Sequence, residues 1–144
     1  MKKILLSLFS ILCGLGFIGV GNGLLNIVIP TKATQLDFSI FSIGLLTAFY
    51  YLGFLFGCFL TPKFVKKVGH IRCFAFFAAS LCISTLCFSF SINEPFWQCL
   101  RMTSGFSVAG LYMIAESWLN ESAEDQNRGR VISIYRMIDL GALV

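Results

Sequence analysis

At 144 residues, 57% of them hydrophobic and only 12% charged, with a mean hydropathy of +0.82, the chain departs from soluble domains, which run at about 45–50% apolar and about 25% charged. Packing this much apolar side chain into a water-soluble globule would leave a greasy exterior with no solvent to favour it, so the composition excludes a soluble fold and points to lipid. The formal charge of +4 comes without the basic patch and interleaved exposed aromatics that grip a phosphate backbone, so no nucleic acid partner is expected.

The first apolar run extends from Ile4 to Pro30 behind Lys2 and Lys3. It is too long for the apolar centre of a signal peptide, about 7–15 residues, and Leu12 before Cys13 is no small cleavage residue. The run predicts a transmembrane helix over 4–30, closed by Pro30. Its Asn22 and Asn26 stand four apart on one helical face, among Gly14, Gly16, Gly19, Gly21 and Gly23. The glycines admit a close neighbour; the asparagines serve either as hydrogen-bond partners between helices or as the lining of a polar cavity.

Three further runs predict helices over 40–60, 73–92 and 96–119, each near the roughly 20 residues that cross a bilayer core, and the start of a fifth lies over 131–144. In the second, Gly53 and Gly57 form G-x-x-x-G, a groove for helix packing. All six cysteines fall inside apolar runs, with no C-x-x-C pair and a single histidine, His70. That spacing gives neither a metal site nor a disulfide framework. Most of the sixteen phenylalanines read as lipid-facing filler, and Trp97 and Trp118 bracket the fourth run as interfacial anchors would.

Arg101 lies five residues into the fourth run. An arginine at that depth rarely faces hydrocarbon. It either snorkels to the nearby outer interface or pairs inside the bundle, where Gly105, Ala109 and Gly110 admit a neighbouring helix. At the far end of the same run Glu116 precedes Arg128 and Arg130, which together form either an ion-pair clasp or a solvated loop that only sets topology.

Lysine and arginine sort cleanly between the two sides. Lys2 and Lys3 precede the first run, Lys63, Lys66, Lys67 and Arg72 lie between the second and third, and Arg128 and Arg130 between the fourth and fifth. The opposite connections hold Lys32 with Asp37, and Glu94. Cytoplasmic loops retain positive charge, so a multi-pass protein of the inner membrane with a cytoplasmic N-terminus is expected.

In this order the residues resemble the major facilitator superfamily. That family carries G-x-x-x-D-R-x-G-R-R between its second and third helices; here Gly57 to Thr61 runs on to Lys66-Lys67-Val68-Gly69-His70-Ile71-Arg72, with Thr61 in place of the aspartate and the basic part displaced toward the C-terminus. Its fourth helix carries an arginine followed four residues later by glycine, as Arg101 and Gly105 do here. The resemblance implies an all-α membrane protein, a transmembrane helix bundle forming part of the N-terminal six-helix half. It implies a carrier of a small solute by alternating access, coupled to H+ or another ion, since no nucleotide-binding motif is present. Asn22, Asn26 and Arg101 are then candidates for the substrate cavity, and Gly57, Lys67, Gly69, Arg72, Glu116, Arg128 and Arg130 for a cytoplasmic gate. No cofactor and no enzymatic activity are expected. Such carriers usually have twelve helices, so the sequence reads as a fragment that should not transport alone. A four-helix multidrug exporter acting as a dimer would need an acid in the first helix, which holds none; a non-transporting membrane scaffold would need no buried arginine.

Overall fold

In the computed structural model four helices follow in order, α1 (Lys2–Gln35), α2 (Ile40–Val68), α3 (His70–Cys87) and α4 (Glu94–Ser122), with no strand among the described residues. The structure describes residues 2–122 with Ser133 and Met137, and side chains from Cys13 to Trp118 with those of Asn120, Ser133 and Met137. The fifth run expected over 131–144 and the arginines Arg128 and Arg130 otherwise lie outside the described residues. The chain divides into two compact units, Met1–Asn26 with Ala115–Val144, and Ile27–Ile114.

Helix ends differ from the apolar runs for identifiable reasons. Helix α1 does not close at Pro30 but carries it inside and continues to Gln35. Beyond the proline, Thr31 and Thr34 donate their hydroxyls to the carbonyls of Ile27 at 2.7 Å and Pro30 at 3.0 Å, adding side-chain bonds around the turn that the proline weakens. The helix closes in a Schellman motif: Phe38 N–H donates to Ala33 O at 3.1 Å and Asp37 N–H to Thr34 O at 3.2 Å, while Asp37 takes the left-handed φ of 56°. Aspartate is among the few residues besides glycine that visit this region readily. Ser39 then caps α2, its Oγ accepting from Ser42 N–H at 3.1 Å.

The basic segment expected as a loop over 61–72 is helical except at Gly69, where φ of +90° breaks α2 from α3. Gly69 N–H closes α2 on Val65 O at 2.9 Å, and its carbonyl accepts from Cys73 N–H at 3.2 Å to open α3. Lysines do not interrupt a helix; in its last turn Lys66 and Lys67 complement the dipole. Helix α3 stops at Cys87 rather than at Ile92, giving way to two short turns, Ser89 N–H to Leu86 O and Phe90 N–H to Cys87 O, both 3.1 Å.

Within the Ile27–Ile114 unit the distribution of polarity is inverted relative to a soluble fold. Ser42, Thr61, Ser84, Arg101, Ser104 and Ser107 are buried, while Ile40 is 91% and Phe90 83% exposed. The buried face of α2 is a single stripe, Ser42, Leu46, Tyr50, Gly53, Gly57 and Thr61, at the three- and four-residue spacing of one helical face. Lipid is the solvent in which such an exterior is stable. Among the described residues three helices are long and apolar enough to cross a membrane, Cys13–Gln35, Ile40–Val68 and His70–Cys87. Helix α4 is long enough but more polar, and it is the helix whose Val108, Ala109, Leu111 and Ile114 are all buried together with Arg101, Ser104 and Ser107. A helix enclosed by protein has less need of an apolar surface.

Trp97 stands at the start of α4 and is buried rather than placed as an interfacial anchor. Its ring lies 5.3 Å from that of Phe38 and 5.2 Å, edge-on, from that of Phe88, and its Nε1–H donates to Ser91 O at 2.8 Å. One side chain thus ties the α1–α2 and α3–α4 connections together. Trp97→Ala is expected to cost about 3–5 kcal/mol, read as a lowered melting temperature in detergent, whereas Trp97→Phe keeps the ring contacts and loses about 1 kcal/mol with the hydrogen bond. Equal losses in the two variants would show that the rings contribute little.

Candidate functional site

The second unit is organised by the crossing of α2 and α4, which run parallel. Two glycine positions set it. A Cβ on Gly53 would collide with the backbone carbonyl of Met102, and one on Gly105 with the carbonyl of Tyr50. One turn on, a Cβ on Gly57 would fall 2.7 Å from Ala109 Cβ and 2.8 Å from Phe106 O. Gly53-x-x-x-Gly57 of α2 therefore faces Gly105-x-x-x-Ala109 of α4, small residues on both helices, so the backbones meet almost without side chains between them. Gly110 does the same toward α3, where its missing Cβ would sit 2.6 Å from the Phe77 ring.

That approach decides where Arg101 goes. Because Gly105 admits the Tyr50 backbone, the Tyr50 ring reaches back one turn and lies under the guanidinium, with Cζ 4.7 Å from the ring centroid. Tyr51 meets the Tyr50 ring edge-on at 5.4 Å. Arg101 is 2% exposed, so within this unit it points inward instead of snorkelling along the outside. The Arg101-x-x-x-Gly105 spacing thereby has a physical meaning, the glycine making room for the aromatic face that the arginine occupies.

Polar pairs flank this point. Gln98 Nε2 donates to Ser42 Oγ at 3.3 Å, joining α4 to α2 one turn nearer the helix starts. Ser84 and Ser104 join α3 to α4 with Oγ atoms 3.1 Å apart. Each hydroxyl also lies 2.9 Å from a carbonyl of its own helix, Leu81 O and Leu100 O. Each has one proton, so whichever bridges the helices gives up its own backbone bond. Thr61, at the position of the family motif's aspartate, is buried with an Oγ1 that makes no hydrogen bond among the described residues. A neutral hydroxyl there avoids the far larger penalty of a buried carboxylate.

The residues singled out from sequence fall in separate places. Lys67, Gly69 and Arg72 gather at the α2–α3 junction, the two cations exposed. Lys67 is 17 residues along α2 from Tyr50, roughly 25 Å at the helical rise, so the junction and Arg101 are different sites. Gly57 belongs to the helix crossing. Asn22 and Asn26 are half-buried on α1 and Glu116 half-buried on α4, all three in the first unit. The sequence reading missed Tyr50, Gln98 with Ser42, and Ser84 with Ser104. Tyr50 had a signal, since it precedes Gly53 and Gly57 on their own stripe; the serine pairs had none, because each partner lies on another helix. Among the described residues no cluster of histidine, cysteine and acids could hold a metal ion.

The arrangement has known counterparts in sequence. The family model described as Major Facilitator Superfamily matches residues 11–144. An uncharacterized MFS-type transporter of Enterobacter sp. (strain 638) is 28% identical over 130 residues, 89% of this chain and 34% of the relative. The uncharacterized MFS-type transporter YcaD of Salmonella newport (strain SL254) and that of Salmonella typhi show the same identity and coverage. The chain thus spans about a third of the length of the curated relatives it matches. No solved structure matches it. With a family match over nearly its whole length, an exterior suited to lipid and an arginine enclosed among membrane-length helices, this multi-pass membrane chain belongs to the major facilitator superfamily.

Proposed function

We propose that the chain forms part of the N-terminal half of a secondary active carrier, which moves a small solute by alternating access at the expense of an ion gradient. The carrying observation is the burial of Arg101 over Tyr50 in a unit whose helices otherwise turn apolar side chains outward. A charge held in a membrane bundle is costly unless it binds, orients or couples something. Arg101 is the candidate for holding an anionic group of the solute or answering the coupling proton; Asn22 and Asn26, which belong to the other unit, are each proposed as cavity-lining residues on the strength of their polarity in an apolar helix. Gly57, Lys67, Gly69, Arg72, Glu116, Arg128 and Arg130 are proposed for the cytoplasmic side. The protein is proposed to sit in the inner membrane, and the sorting of lysine and arginine supports a cytoplasmic N-terminus.

The test uses inside-out membrane vesicles carrying a full-length carrier that contains this chain, a pH-sensitive dye and a panel of sugars, organic anions and organic cations. Reporter fusions are expected to place the segment after Arg72 inside and that after Ile92 outside. At least one solute should then dissipate an imposed pH gradient beyond the vector control. Correct insertion with no solute-linked ion flux across the panel, under either a proton or a sodium gradient, would sink the carrier reading.

A further inference from the structure

We propose that a groove between α2 and α4 binds an anionic phospholipid, one acyl chain lying in the groove and the headgroup phosphate held by Lys63 and Lys67. The groove has a volume of about 470 Å³ and lies wholly within the Ile27–Ile114 unit, lined by Gly53, Phe56 and Leu60 of α2 and Cys99, Met102, Thr103 and Phe106 of α4. It exists because Gly53 brings no side chain to the crossing that it helps set. Its one hydroxyl, Thr103 Oγ1, is spent on Cys99 O at 3.0 Å, so the walls ask nothing polar of an occupant. A hydrocarbon chain satisfies them.

The sign of the headgroup is set by the residues of α2 just past the groove. Gly53, Phe56 and Leu60 occupy one face of the helix, and spacings of three and four carry the same face on to Lys63 and Lys67, both exposed. They lie roughly 4.5 Å and 10 Å beyond Leu60 along the axis, within reach of a headgroup whose chain fills the groove. From Ile40 to Ile92 the sequence holds no aspartate or glutamate, so neither α2 nor α3 carries an acid to neutralise them. Lys66 belongs to the same cluster but stands off this face. Apolar walls alone would accept any lipid tail; the two lysines select a lipid with net negative charge. The inference rests on the placement of the α2–α3 junction at the cytoplasmic membrane surface proposed above.

Native mass spectrometry of the full chain, released from mixed micelles holding equal amounts of phosphatidylglycerol and phosphatidylcholine with the same acyl chains, tests this. The wild type should retain phosphatidylglycerol about tenfold in preference. Lys63→Gln with Lys67→Gln should level the preference, and Lys66→Gln should leave it. Thr103 is exposed, so Thr103→Trp fills the groove without entering the core and should lower retention of both lipids. Excess inorganic phosphate should leave the bound lipid in place. Equal retention of the two lipids by the wild type, or a preference surviving the double substitution, overturns the proposal. Retention unchanged by Thr103→Trp puts the lipid elsewhere and overturns the groove. Displacement by inorganic phosphate would make the lysines a simple anion site. Reporter fusions that placed the junction outside would overturn the orientation alone, because lipid preference in micelles does not depend on it.

Discussion

Gly53→Ala and Gly105→Ala each lower the stability of the protein by about 3 kcal/mol or more, the upper range for overpacking a close contact. The added methyl is the smallest side chain there is, yet at both positions it lands on a backbone carbonyl of the other helix, of Met102 or of Tyr50. A side chain in the way can change rotamer; a carbonyl moves only if the helix moves, and shifting α4 off α2 also breaks Gln98 to Ser42 and pulls Arg101 from the Tyr50 ring. The rest of the glycine series should rank by what the methyl meets. Gly57→Ala, against Ala109 Cβ at 2.7 Å, falls a little below the first two. Gly110→Ala meets the Phe77 ring at 2.6 Å, which can tilt, and costs less again. Gly44→Ala has nothing within 4 Å and should stabilise by up to about 1 kcal/mol, because alanine is the better helix former. Thermal unfolding in detergent reads the series, with a drop of about 10 °C expected for the first two. A flat series, or Gly44→Ala as the most damaging member, would mean that the crossing is not held by close backbone contact.

What the sequence discloses here depends on the kind of force involved. Membrane helices are legible because hydrocarbon demands long apolar runs, and the four described helices lie where those runs lie. Their ends are not, because an apolar run measures how far side chains tolerate lipid while a helix end is set by backbone conformation. Pro30 looked like a stop and is carried inside α1; the chain turns at Asp37, which enters the left-handed region as few residues besides glycine do, and hydropathy carries no sign of it. Lysines at 63, 66 and 67 looked like a loop and are helix, while the break is Gly69, one residue with φ of +90°. The G-x-x-x-G of α2 was readable as a packing groove, and it is one. Its partner stripe, Gly105-x-x-x-Ala109, was visible only as small residues near Arg101, since nothing local pairs residues 52 positions apart. For the same reason Arg101 stood out as costly, yet its contact with Tyr50 did not. Burial cost is a property of one residue, and pairing is a property of the fold.

Replacing Arg101 separates what the fold needs from what a carrier needs. A buried charge is a poor source of stability, because the water it gives up is seldom fully replaced, and an apolar residue of similar volume at such a place is often neutral or stabilising by about 1–4 kcal/mol. Against that stands the stacking on Tyr50, worth about 2 kcal/mol when desolvated. Arg101→Met should therefore leave the melting temperature near that of the wild type or raise it. Solute-linked flux in vesicles, once a solute is in hand, should fall in the same variant by about two orders of magnitude, the scale for misplacing a positioning group. Arg101→Lys keeps the charge and loses the planar stack, so flux should be partly retained. Tyr50→Phe keeps the aromatic face and should transport nearly as the wild type does; Tyr50→Leu removes the face and should behave like Arg101→Lys. A variant that melts low and also fails to transport would assign Arg101 to packing. A variant that keeps its stability and loses flux would show that the chain tolerates the cost of this cation for what it does to the solute, and the contrast between Tyr50→Phe and Tyr50→Leu would show that the aromatic face is what holds it in position.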